Sequence, residues 1–246
     1  MKTLTLAAAA LFAFATSADA ALITSASLLT PQAARGAITT PIDLTGIKTP
    51  SSAPIATSAY GIAFVTPNDQ GVVRGAAAGR HAIPVAGVAN GSPQYLVGNL
   101  GGPLTTDPGQ SGNYFSTDGA GSSITIIFAS GQTSFALLWG SIDTTNRLSF
   151  EALDGTVQDV LTGSEVQALA RNFAGNGFQG AGGSAYVATT ASTAFRRVVL
   201  SSGTVSFEAA ALTGSDKPFV VPEPMSLALL GGSLAGLGLI ARRRRA

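Results

Sequence analysis

The stretch Leu137-Leu138-Trp139-Gly140-Ser141-Ile142-Asp143-Thr144-Thr145-Asn146 gathers the side chains best suited to hold a ligand. Asp143, Ser141 and Asn146 supply a carboxylate, a hydroxyl and an amide oxygen, a donor set that suits a hard cation such as Ca²⁺. Trp139 would stack on a sugar ring. The same residues have a plainer reading, in which Trp139 is core and Asp143 and Asn146 shape a turn through side-chain to backbone bonds.

Other chemistry is thinly represented. There is no cysteine, which excludes disulfides, thiolate metal sites and cysteine nucleophiles. His81 is the only histidine, so the usual zinc ligand sets cannot be assembled. A Ser-His-Asp triad is arithmetically open, but no G-x-S-x-G elbow supports it, and His81 reads as a loop residue. Gly175-Asn176-Gly177-Phe178-Gln179-Gly180 matches G-x-G-x-x-G. A dinucleotide site needs a strand before that motif and a helix after it, and here the expected order is reversed. Glu151 and Glu208 fall in expected strands, yet glycoside hydrolysis needs two carboxylates facing each other, which linear sequence does not provide. No catalytic residues are assigned, and no cofactor is expected beyond the Ca²⁺ alternative.

The two ends carry a different kind of chemistry. Lys2 provides a positive n-region, Leu4 to Phe14 an apolar stretch, and Ala18-Asp19-Ala20 a small-residue cleavage site before Ala21, the pattern of a secretory signal. At the other end Val221, Pro222, Glu223 and Pro224 precede Met225 to Ala241, an uncharged and mostly apolar run, and Arg242, Arg243, Arg244 and Arg245 follow it. As a helix the run would reach about 25 Å, slightly under the ~30 Å hydrocarbon thickness, a mismatch a bilayer tolerates. Four arginines would hold the C-terminus in the cytoplasm, the topology that an N-terminal export signal also dictates. Pro222 and Pro224 disfavour helix and keep their neighbours extended, as access for a processing enzyme requires. Gly232 and Gly236 form a G-x-x-x-G, too weak a signal to assign a helix-packing role.

This order of P-E-P, apolar span and arginine cluster resembles the C-terminal sorting domain of PEP-CTERM proteins over about twenty-five residues. The resemblance implies recognition by an exosortase, a membrane-embedded transpeptidase-like enzyme, in a Gram-negative bacterium that makes exopolysaccharide. Export further implies the Sec translocon and signal peptidase as partners, with transient residence in the inner membrane.

The intervening chain must position whatever the 137–146 stretch does. Charged residues are only 11% and hydrophobic ones 46%, a mix that suits strands and turns better than solvent-facing helices. Lys2 and Arg242 to Arg245 account for five of the fourteen basic residues. From Ala21 to Pro224 nine basic residues meet twelve acidic ones, so the body is mildly acidic and unsuited to nucleic acid. Residues 22–58, rich in Thr, Ser, Ala and Pro, read as an extended arm or peripheral strands. Tyr60 to Thr66 is the first clear strand. Residues 67–121 read as long irregular loops in which only Gln94 to Val97 looks strand-like.

Ile124 to Phe128, Thr133 to Trp139, Arg147 to Ala152, Thr156 to Leu161, Ala185 to Thr189, Phe195 to Leu200 and Thr204 to Ala209 are strand candidates. Asp154-Gly155 predicts a two-residue hairpin turn with both residues at positive φ, Ser202-Gly203 a turn joining the last pair, and Thr162-Gly163-Ser164-Glu165 a capping box opening a helix through about Arg171. Arg196 and Arg197 should point to opposite faces, one of them pairing with an acid. The L-x-W-G-S-x-D stretch, Leu148-Ser149-Phe150, Asp154-Gly155 and Phe207-Glu208 resemble a signature found in one subgroup of exosortase-dependent surface proteins. In that subgroup an Asp-Asn pair often follows the F-E, where this chain has Ala209-Ala210.

The expectation is an all-β protein, an antiparallel β-sandwich of jelly-roll type with one short helix, flanked by a signal helix and a transmembrane helix. The expected boundaries are 1–20 for the signal peptide, 21–58 for the arm, 59–215 for the β domain and 216–246 for the sorting tail. The expected role is that of a non-enzymatic surface or matrix protein associated with exopolysaccharide or biofilm. A carbohydrate- or calcium-binding module and a secreted hydrolase are the alternatives.

Overall fold

A computed structural model describes residues 23–29, 38, 40–44, 46–66, 70–84, 86–89, 92–94, 112–169 and 183–219. The expected signal and transmembrane helices, the Val221–Pro224 motif and the Gly175–Gly180 loop lie outside these residues. Among the described residues no helix is long and apolar enough to cross a membrane.

The strands are β1 (Ile23–Leu29), β2 (Ile55–Ala56), β3 (Tyr60–Val65), β4 (Val72–Arg74), β5 (Ala86–Ala89), β6 (Ser92–Gln94), β7 (Asn113–Ser116), β8 (Ser123–Gly140), β9 (Arg147–Glu151), β10 (Val157–Thr162), β11 (Ala185–Ser201) and β12 (Glu208–Ser215). Among the described residues one helix, α1 (Gly163–Leu169), interrupts them. Ten strands form one sheet, with the path β10-β9-β11-β8-β12-β7-β4 and with β1, β2 and β3 attached beside it, while β5 and β6 pair separately. Every pairing among the described residues is antiparallel.

Two long strands organise the sheet. β8 and β11 each read as two strands in the sequence, but each is continuous. Their mutual register shifts around Phe195, opposite Gln132, where the exposed Ala129 and Ser130 break the burial pattern. The first half of β8 pairs with β3 and with the end of β11, and β9 continues outward from there. The second half pairs with the start of β11 and with β12, and β1 lies on the far side of β11. Burial along β8 follows this division. Ile124, Ile126 and Phe128 alternate with half-buried neighbours, the signature of one covered face. Phe135 through Trp139 are fully buried one after another, as in a strand covered on both sides.

The main core joins the two halves. Phe135 and Phe150 meet edge to face at 6.2 Å, Phe150 and Phe195 at 4.9 Å, and Trp139 stacks on Phe207 at 4.4 Å. A second cluster, including Tyr114, Leu138 and Tyr186, covers the other face of the β8–β12 half, and Ile38, Ile83 and Phe219 pack into it. The segment expected as an arm is thus part of the body. β1 extends the sheet, and Ile42 and Leu44 are buried in the main core.

Three local expectations are corrected. The 67–121 region contributes β4, β5, β6 and β7; these strands are short and punctuated by Gly and Pro, which hides their periodicity. The β9–β10 hairpin has a three-residue loop. Gly155 N–H bonds Ala152 O at 3.1 Å, Ala152 N–H bonds Thr156 O at 3.0 Å, and Gly155 alone takes positive φ, at 89°. That is a type I turn closed by a glycine bulge rather than the two-residue form. Finally, β11 and β12 are not hairpin partners, because β8 lies between them. Residues Ser202 to Phe207 cross the end of the sheet, and the last strand starts at Glu208 and runs on to Ser215, later than expected.

The capping box forms as the sequence dictates. Thr162 N–H bonds Glu165 Oε2 at 2.7 Å, and Glu165 N–H bonds Thr162 Oγ1 at 3.3 Å.

A candidate ligand cavity at the end of the central strands

β8 ends at Gly140, which pairs with Glu208, the first residue of β12. The backbone then leaves the sheet through Ser141, whose φ of 44° is rare for a residue with a side chain. The loop that follows is held from several sides. Ile142 N–H bonds Gly183 O at 2.8 Å, Asn146 N–H bonds Asp143 O at 3.0 Å, and Gln167 Nε2 of α1 donates to Ile142 O at 2.7 Å. Gly163 packs so closely that a Cβ there would lie 1.9 Å from Asp143 O. Helix and loop are therefore fitted to each other through the absence of one methyl group.

The four residues singled out in this stretch separate into different roles. Trp139 is fully buried, so it offers no face to a sugar ring; its indole stacks on Phe207. Asn146 is also fully buried, and its Nδ2 donates to Ser141 O at 3.1 Å and to Ser206 O at 3.4 Å. Those bonds tie the start of the loop to the crossing segment before β12. Ser141 and Asp143 do face a common space. They line a cavity of about 420 Å³ together with Arg80, Asp118, Ser206 and Glu208.

Arg80 and Asp118 form one wall as a two-point ion pair, Nη2 to Oδ2 at 2.7 Å and Nε to Oδ1 at 3.2 Å. The hydrogen bond to Asp118 raises the arginine pKa further, so this cation is matched to that carboxylate. Ser206 Oγ donates to Arg80 O and fixes the wall to the crossing segment.

Glu208 forms the floor and is only 2% exposed. Its Oε1 accepts from Ala82 N–H at 3.1 Å, while its Oε2 has no hydrogen-bond partner. Burial pushes this carboxyl up to about 8. The Ala82 N–H opposes the shift, and the nearby Asp143 charge adds to it. The Ser141 hydroxyl lies close enough to favour the ionised form, but outside hydrogen-bonding geometry. Asp143 is itself raised, by burial.

His81 lies behind this site. It is buried, and its Nδ1 is 2.8 Å from Tyr114 Oη. Because the Tyr114 hydroxyl donates to Gly75 O, its oxygen is left to accept, which makes Nδ1 the protonated nitrogen of the imidazole. Burial lowers the histidine pKa and raises that of Tyr114. The expected loop histidine is thus a buried one, held in a β-bridge with Ala77, and it does not line the cavity.

Glu151 does not join Glu208. Two strands, β11 and β8, separate β9 from β12, and Glu151 pairs with Arg197 at 3.4 Å. Arg196, on the opposite face, donates to Phe128 O at 3.1 Å and Ala129 O at 2.6 Å. The described residues contain no group of three or more His, Asp and Glu placed to hold a metal ion.

Sequence reasoning found Ser141 and Asp143 but did not assign Arg80, Asp118 or Glu208 to the same place. The one available signal for Glu208 was its position after Phe207, in the F-E pair. Comparison with models of protein families, with curated proteins and with solved structures finds no match to this chain.

Proposed function

We propose that this chain is an exported surface protein, delivered through the Sec translocon and trimmed by signal peptidase at Ala21. It is then held transiently in the inner membrane by residues 225–241 and processed by an exosortase. The observation that carries this reading is the fixed order of Val221-Pro222-Glu223-Pro224, the apolar run and Arg242 to Arg245. The folded body supports it: Phe219, two residues before Val221 in the sequence, still packs against the second core cluster. A body that needs no disulfide and carries few charges is compatible with life outside the cytoplasm.

We further propose that the body is a jelly-roll-like sandwich with a non-enzymatic role at the cell surface or in exopolysaccharide. The ring contacts by which the two halves of the sheet meet support that architecture.

The test is mass spectrometry of the C-terminal peptide from mature protein, with and without alanine at Pro222, Glu223 and Pro224. The native chain should lose Arg242 to Arg245, and the variant should accumulate as membrane-bound precursor. Arginines still attached to the surface-displayed native protein would overturn the sorting role.

A hydrolase is the second reading, because Asp143 and Glu208 share one cavity. Turnover of chromogenic glycosides that disappears in Glu208→Gln would replace the non-enzymatic role.

A further inference from the structure

Among the ionisable residues that line the cavity, the acids Asp118, Asp143 and Glu208 outnumber the one base, Arg80. Arg80 is already matched to Asp118 through two hydrogen bonds. Glu208 Oε2 and Ser141 Oγ are both buried and have no hydrogen-bond partner. Glu208 is 2% exposed and lines the cavity, so its unpartnered oxygen is buried at the cavity wall. A buried oxygen without a partner costs free energy, and a cation bound in the cavity would displace the carboxyl proton and supply that partner. Asp143 adds a second carboxylate on the same wall. The unmatched groups are oxygens, with no imidazole or sulfur among them, which selects hard cations over zinc or copper.

We propose that the cavity between Ser141, Asp143 and Glu208 holds a divalent cation of the calcium class, with Glu208 as its buried anionic ligand. Two carboxylates and one hydroxyl do not fill a calcium shell of six to eight oxygens. Water supplies the rest, for which a cavity of about 420 Å³ has room. Two anionic ligands match the weak end of calcium sites, about 10⁻⁴–10⁻³ M, typical of extracellular modules. Mg²⁺ fits less well, because it demands near-octahedral geometry and gives up its water reluctantly. The site is independent of the sorting role proposed above.

The chain offers its own reporter. Trp139 is the only tryptophan and lies two residues before Ser141, within reach for short-range energy transfer to a bound lanthanide. The full chain in detergent, stripped with EDTA, should show terbium luminescence on tryptophan excitation. Ca²⁺ should displace it and Mg²⁺ should not. Addition of 10 mM Ca²⁺ should raise Tm by about 3–6 °C for a site of millimolar affinity.

Glu208→Gln and Asp143→Asn should each abolish both effects, while Asp216→Asn, at an exposed position, should keep them. Asp143 lies in a loop, so its variant tests the site without altering the core. Absence of any terbium or Ca²⁺ response in the native chain would overturn the site, as would responses that survive in both variants.

Discussion

Glu208 shows how one side chain can be tolerated where the fold would prefer none. Its carboxyl is buried, accepts from Ala82 N–H through one oxygen, and lies within the influence of Asp143. The folded protein holds the proton up to about pH 8, whereas an unfolded carboxyl releases it near 4.5. Between those values the folded state binds more protons, so this residue makes stability fall as pH rises. His81, whose pKa burial lowers, tilts the other way below about pH 6.5, and Asp143 tilts the same way as Glu208. The contribution of Glu208 is isolated by comparison. Urea denaturation of EDTA-treated protein from pH 5 to 8 should show a steeper loss in the native chain than in Glu208→Gln. Parallel curves would mean that the carboxyl is already ionised in the fold.

At the scale of elements, α1 matters more for where it sits than for its own stability. The capping box at Thr162 and Glu165 is exposed, and Thr162→Ala should cost about 1 kcal/mol. Gly163 acts on the loop. A methyl group there would collide with the Asp143 carbonyl, and moving either backbone disturbs the bonds that Ile142 and Asn146 make. Gly163→Ala should therefore cost more than loss of the cap, about 1–3 kcal/mol, and should shift Asp143 away from the cavity. Guanidinium denaturation of both variants measures the order of the two effects, and Thr162→Ala proving the more damaging would refute the tight fit.

At the scale of the molecule, β8 and β11 run through both halves of the sheet, and the aromatic contacts of Phe135, Phe150 and Phe195 tie those halves together. With no cysteine available, no disulfide joins the halves, and this core together with the two long strands holds them to each other. Phe150→Ala should cost about 3–5 kcal/mol. It should also lower a single unfolding transition rather than split it in two, which differential scanning calorimetry would reveal. A resolved second transition would show that the halves unfold separately.

Local signals were legible wherever a short segment decides its own shape. Alternating apolar residues marked the halves of β8 and β11, Thr162 and Glu165 marked the helix start, and Asp154-Gly155 marked a turn. The turn type escaped, because Asp154 does not need positive φ once Gly155 forms the bulge. Continuity also escaped. Ala129 to Gln132 and Ala191 to Ala194 look like breaks between strands, yet the chain stays extended through them because pairing with the neighbouring strand resumes after a register shift.

By itself the sequence determined an all-β body with one short helix, poor in charge and free of cysteine, between two segments that read as sorting signals. These features follow from composition and from the side-chain order within short windows. Only the tertiary structure decided that β12 pairs beside β8. That pairing brings Glu208 level with Gly140 and next to Ser141, while the pairing of β7 on the other side of β12 brings Asp118, and with it Arg80, to the same cavity. Strand partners far apart in the chain are chosen by which faces bury the most apolar surface together, and no local pattern records that choice.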